Sequence, residues 1–235
     1  MTDFRPGGFQ TIPPVIKNLL IINVLVFLAQ QTLGQDIGLK IVNLFALHDL
    51  HSVYFRPHQL VTYMFLHGGW DHIFFNMLAL WMFGAILENY WGGKRFLIFY
   101  MVCGIGAAVF HLAVLYHEMS PVMEAVRYQV PIDQQQELLY SAEFRVNEAT
   151  LGASGAVFGC LAAFGYLFPN SLIYLYFFVP IKAKWMVLGY AAIELFSGIR
   201  SSAGDNVAHW AHLGGGLVGL LLVIYWNRTN RSKFY

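Results

Sequence analysis

The sequence predicts an all-α membrane protein built as a bundle of six transmembrane helices. Composition, six apolar runs and the placement of charge between them predict it. Of 235 residues, 57% are hydrophobic and 11% charged, with a mean hydropathy of +0.54. A soluble domain carries about 25% charged residues, so a chain this poor in charge presents most of its surface to lipid. The length suits one membrane domain. A net charge of +1 gives no bulk electrostatic case for a nucleic-acid partner. Cys103 and Cys160 both sit in apolar runs and read as small buried hydrophobes, with neither a disulfide framework nor zinc spacing.

A helix needs about 20 apolar residues to cross the hydrocarbon core. The runs predicted to cross are 16–34, 71–90, 95–116, a short one at 153–168, 171–197 with an interruption near Pro180, and 206–227. The chain thus divides into a cytoplasmic N-terminal tail, 1–15, a six-helix membrane domain, 16–227, and a cytoplasmic C-terminal tail, 228–235. Pro13-Pro14 precedes the first run and no small-x-small site follows it, so it reads as a retained helix rather than a cleaved signal.

Charge sets the orientation. With six spans, both termini share a side, which collects Arg5, Lys17, Lys94, Arg95, Lys182, Lys184, Arg228, Arg231 and Lys233. The other side carries most of the acidic residues, among them Glu118, Glu124, Asp133, Glu137, Glu143 and Glu148. The termini are therefore expected in the cytoplasm, and the even-numbered segments run inward from outside. Trp70, Trp91, Trp185, Trp210 and Trp226 fall near segment ends, where interfacial aromatics belong. Two long loops, 35–70 and 117–150, face outward; the second has a weak amphipathic pattern around Gln134–Phe144, which suits either an interfacial helix or a hydrophilic loop.

Polar groups inside a span are costly and need a partner or a task. His72 and Asn76 lie in the first turns of the second segment, with His67 just before it; Ser154 opens the fourth; His209 and His212 open the sixth. All three segments start outside, so these groups share one depth, and His111, late in the third segment, reaches it too. His72 and Asn76 are four residues apart and share a helix face. Ser154 sits in Gly152-Ala153-Ser154-Gly155, where N–H groups at a helix start stay free to bind an anion. Such a serine lacks only a base, and a neutral histidine of the sixth segment at that depth can supply one. The small-residue motifs Gly155-x-x-x-Gly159 and Gly215-x-x-x-Gly219 favour close approach of the fourth and sixth segments. Glu194 and Glu88 read as structural, Glu194 tied to a neighbouring helix.

Three strings carry a resemblance: His67-Gly68-Gly69-Trp70-Asp71-His72-Ile73-Phe74-Phe75-Asn76, Gly152-Ala153-Ser154-Gly155-Ala156, and Ala211-His212-Leu213-Gly214-Gly215 followed by Gly219. In these strings, over roughly residues 15–227, the chain resembles the rhomboid family of intramembrane serine proteases. The resemblance implies an endopeptidase that cleaves transmembrane segments through an acyl-enzyme. Ser154 would be the nucleophile and His212 the general base, a dyad without a carboxylate. The Asn76 and His72 side chains and the Ser154 backbone N–H would form the oxyanion hole. His67, Gly152, Gly155 and His209 would support the site, His67 by organising the outer end of the second helix. One departure stands in the first outer loop, where the family often has a Trp-Arg pair before the threonine of the second helix. Here Pro57-His58-Gln59-Leu60-Val61 precedes Thr62, with Arg56 shifted.

The expected partners are transmembrane protein substrates and the lipid bilayer, without nucleic acid, metal or cofactor. The compact chain suits a bacterial inner membrane. A competing expectation is a catalytically silent rhomboid-like protein that binds transmembrane segments; such proteins usually lose the Ser or the His. A metal or haem protein using His67, His72, His111, His209 and His212 lacks a matching ligand motif, and a transporter lacks an inverted repeat.

Overall fold

The computed structural model describes residues 9–141, 143–175, 178–200 and 208–229. Arg5, Arg231, Lys233 and most of the loop at 198–206 lie outside the described residues. The helices are α1 (Pro14–Thr32), α2 (Gln35–Phe45), α3 (Gln59–Thr62), α4 (Trp70–Trp91), α5 (Gly93–Gln129), α6 (Ile132–Tyr140), α7 (Ser154–Leu167), α8 (Ala183–Arg200) and α9 (His209–Thr229). Strands β1 (Leu172–Leu175) and β2 (Val179–Lys182) form an antiparallel hairpin between α7 and α8, with Leu172 opposite Lys182 and Leu175 opposite Val179. α1, α4, α5 and α9 are long and apolar enough to cross a membrane. α7 is shorter, and α8 carries Lys184, Glu194 and Arg200 in an otherwise apolar helix. The protein is an integral, multi-pass membrane protein.

Two stretches differ from the sequence expectation, and a third settles an alternative it left open. The fifth run, 171–197, is not one helix: its first part, up to Lys182, carries the hairpin, and helix begins only at Ala183. Leu-Ile-Tyr-Leu and Val-Pro-Ile-Lys are apolar, β-branched and aromatic; hydropathy reads them as span while their propensity favours strand. The third run does not stop near 116 but continues as helix to Gln129, through Pro121. Its hydropathy marks where the apolar run stops, not where the helix ends. Beyond that run, Met119 and Val126 pack against Phe144 and Val146 in a small second core. The segment near Gln134 is helical, as α6.

α7 lies at the centre of the bundle, in contact with α5 and α9. It can be buried there because it is made largely of small residues: Gly155, Ala156, Gly159, Cys160, Ala163 and Gly165 are all buried. Gly155 lies on Ala107 of α5, and Gly159 lies against Cys103; both cysteines are buried and free. On the other side Gly215 and Gly219 of α9 meet the backbone of Gly155 and Gly159. By contrast α8 turns Leu188, Ile193, Phe196 and Ile199 outward, Ile199 being 71% exposed, while its Glu194 and Gly198 are buried. At the far end, the Glu88 carboxylate accepts hydrogen bonds from the Val15 and Ile16 N–H groups at 2.9 and 2.8 Å, an anion on a helix N-terminus.

The first long loop is organised around Gln59. Its buried side chain accepts from the His48 and Arg56 N–H groups and donates to the Asn43 and Tyr54 carbonyls. Arg56 itself bonds the nearby Val53 and Phe55 carbonyls. Ser52 Oγ donates to Asn147 Oδ1 at 2.7 Å, which ties this loop to the segment preceding α7.

The α7–α9 crossing yields a test. A Cβ at Gly215 would fall on the Gly155 carbonyl, whereas at Gly216 the nearest such neighbour is the Phe158 carbonyl at 3.9 Å. Gly215→Ala should therefore destabilise the detergent-solubilised protein by about 1–3 kcal/mol, the usual range for overpacking. Gly216→Ala should be neutral or slightly stabilising, since Ala is the better helix former. Thermal unfolding of the two variants side by side measures the difference.

Candidate functional site

The starts of α4, α7 and α9 and the α8 flank of α9 converge at one end of the bundle. Ser154 is the first residue of α7. Gly152 before it has φ +132°, a backbone conformation that glycine supplies readily, and its N–H donates to the Tyr63 carbonyl at 2.9 Å. The first helical bond of α7 runs from the Val157 N–H to the Ala153 carbonyl, so the N–H groups of Ser154, Gly155 and Ala156 have no intrahelical acceptor. The serine side chain thus sits beside backbone donors at the positive end of a helix.

His212, in the first turn of α9, places Nε2 at 2.8 Å from Ser154 Oγ. Its ring lies flat on Phe158, with centroids 4.3 Å apart and planes 5° from parallel. Phe158 is four residues after Ser154, one turn along the same face of α7, so α7 supplies both the hydroxyl and the surface that orients its partner. Sequence spacing contained that relation, and the sequence reading passed over it.

His72 is fixed by its own helix start. The Gly68 N–H donates to His72 Nδ1 at 3.3 Å. A ring nitrogen that accepts cannot carry the proton of a neutral imidazole, so the proton resides on Nε2. That nitrogen faces Gly152: a Cβ there would lie 2.8 Å from it. Asn76 is buried, and its Nδ2 donates to the His72 carbonyl at 2.9 Å; the amide nitrogen carries two hydrogens, and the carbonyl takes one. His67 lies edge-on to His72, ring centroids 5.2 Å apart, and its backbone exchanges hydrogen bonds with the Gln30 side chain of α1. Burial, with His72 nearby, pushes the His67 pKa down to about 3, so this ring is neutral at physiological pH. His111 meets Thr150 Oγ1 at 2.9 Å, and Thr150 pairs backbone to backbone with Leu47. That contact joins α5, the first long loop and the strap leading to Ser154.

Glu194 of α8 stands beside both histidines of α9. Its Oε2 lies 2.6 Å from His209 Nδ1 and 3.0 Å from His212 Nδ1. The contact to His209 is an aligned hydrogen bond; the one to His212 is close but bent out of hydrogen-bond alignment. Sequence placed Glu194 in a span next to some neighbouring helix but could not say which, because the rotation of α8 about its axis is set by packing. Glu194, His209 and His212 bring ligand atoms within 4.8 Å of one another, a spacing a small cation could bridge. His212 is already engaged with Ser154 through its other ring nitrogen.

The chain matches the Rhomboid domain family over residues 54–228. It is 30% identical to Rhomboid-like protein 16, chloroplastic, of Arabidopsis thaliana, over 99% of this chain and 69% of the relative. It is 29% identical to the rhomboid protease AarA of Providencia stuartii over 68% of the chain and 53% of the relative. It is 31% identical to the rhomboid protease GluP of Bacillus subtilis over 68% of the chain and 24% of the relative. A backbone-to-backbone helix crossing, a hydroxyl and imidazole in contact at its mouth and a family match over most of the chain lead to one statement: this protein belongs to the rhomboid family.

Proposed function

We propose that this protein is an intramembrane serine endopeptidase that cleaves transmembrane segments of other membrane proteins. The observation that carries the reading is the 2.8 Å contact between Ser154 Oγ and His212 Nε2 at the N-terminus of α7. Supporting it, the chain keeps both residues, and two relatives carry the name rhomboid protease.

The substrate helix approaches from lipid, past α8. Its scissile carbonyl is hidden by helical hydrogen bonds, so a stretch of small or helix-breaking residues unwinds at least cost. Ser154 Oγ attacks the carbonyl carbon while His212 Nε2 takes the hydroxyl proton. The C=O electron pair moves onto oxygen, and the oxyanion meets the Ser154 N–H, His72 Nε2–H and Asn76 Nδ2–H. His212 then returns the proton to the leaving amine as the C–N bond breaks. The acyl-enzyme is released by water, which reaches the half-buried Ser154 from its exposed side. The charge distribution supports cytoplasmic termini with the site opening away from the cytoplasm, and the two bacterial relatives named rhomboid protease support a bacterial inner membrane.

Ser154→Ala should reduce cleavage of a single-span substrate in detergent to background, and a fluorophosphonate should label the wild type but not this variant. Undiminished cleavage by Ser154→Ala would refute the protease; a folded wild type inert to both substrate and probe would favour the silent, segment-binding protein. Asn76→Ala should lower kcat by about 10²–10³-fold, the usual loss for one oxyanion donor, with KM little changed.

A further inference from the structure

We infer that Glu194 is a positioning residue for the proposed reaction, holding His212 as the third member of a Ser154–His212–Glu194 array contributed by α7, α9 and α8. The inference rests on the proteolytic reading above. The carboxylate oxygen Oε2 stands 3.0 Å from His212 Nδ1, on the side of the ring opposite the nitrogen that meets Ser154. His209, one turn nearer the start of α9, bonds the same oxygen at 2.6 Å and so fixes where it points.

The placement is the argument. α8 otherwise turns apolar side chains outward, and a carboxylate in such a helix needs a partner. A partner for helix packing alone could have been met by His209. Instead one oxygen is shared with the nitrogen that must hold a proton if Nε2 is to accept from Ser154. A carboxylate there favours the Nδ1–H tautomer and opposes the positive charge that the ring acquires when it takes the serine proton. The bent alignment in the substrate-free enzyme is no objection, because such bonds commonly tighten only as the reacting state forms. Around this pair, α4 contributes His72 and α5 contributes His111, neither of them a carboxylate. Glu194 is therefore the negative charge at His212 among the described residues facing it. Phe158 holds one face of the ring, so two constraints, one apolar and one ionic, define its plane and its rotation.

Glu194→Gln keeps shape and removes charge. In detergent it should lower kcat about tenfold or more, within the losses known for a histidine-orienting carboxylate, with KM nearly unchanged, and slow fluorophosphonate labelling by the same factor. Glu194→Asp should recover part of kcat. His209→Gln, which removes the helix tie but not the Glu194–His212 contact, should cost far less kcat than Glu194→Gln at comparable thermal stability. Wild-type rates in Glu194→Gln, equal losses in Glu194→Gln and His209→Gln, or no advantage of Asp over Gln would each overturn the inference. If Glu194→Gln does not yield folded protein, labelling of Glu194→Asp and Glu194→Ala in native membranes reads the same order. Ser154→Ala run in parallel separates the two levels: if it is inactive while Glu194→Gln is normal, only the role of Glu194 fails.

Discussion

The structure depends on the contact between two helix backbones. α7 and α9 approach until the carbonyl of Gly155 occupies the space where a side chain on Gly215 would begin, and the same happens one turn on at Gly159 and Gly219. In lipid no hydrophobic effect drives helices together, so close packing and polar contacts between them must do it. The stripe of small residues is what permits it, and the distance it sets brings a hydroxyl on one helix within hydrogen-bond reach of an imidazole on the other. A bulkier crossing would leave each helix intact and separate the two side chains by ångströms.

Around that crossing a chain of polar contacts joins one helix to the next. Gly68 bonds His72, Asn76 bonds the His72 carbonyl, Ser154 meets His212, and His209 bonds Glu194, whose carboxylate also lies beside His212. His111 turns to Thr150, and Tyr63 donates its hydroxyl to the Gly104 carbonyl. Each bond joins neighbouring turns or different helices. The network therefore acts as an alignment device whatever else it does, since displacing one helix leaves a polar group unpaired in a medium that cannot hydrogen-bond it.

Much of this was legible from the chain because the membrane reduces position to depth. Knowing which segments start on the same side put His72, Asn76, Ser154, His209 and His212 at one level before any coordinate was known. Depth, however, says nothing about rotation. Whether Glu194 faced lipid, α7 or α9 depended on how α8 turned about its axis, so its two histidine partners were beyond the sequence. Hydropathy failed at 171–182, where an apolar run is a hairpin, and at 117–129, where a polar run is still helix. In both places solvent preference and backbone conformation diverge, and a hydropathy scan reports only the first. Phe158 was within reach of the sequence, four residues from Ser154, but an aromatic on an apolar helix carries no mark separating it from its neighbours.

The rotation of α8 also bears on how a histidine works in a membrane. In water an imidazolium is stabilised by solvent from every side. Beside lipid that support is thin, and in the proposed reaction the charge formed when His212 takes a proton must be met by groups already in place. Three kinds stand around this ring: a phenyl face that fixes its plane, backbone and side-chain donors that in the proposed reaction would face the opposite charge on the substrate, and a carboxylate at the far nitrogen. The first two arise from the α7 start and the α4 start. Only the third comes from α8, a helix with a largely exposed apolar outer face, so the orientation of the base is coupled to the seating of that helix.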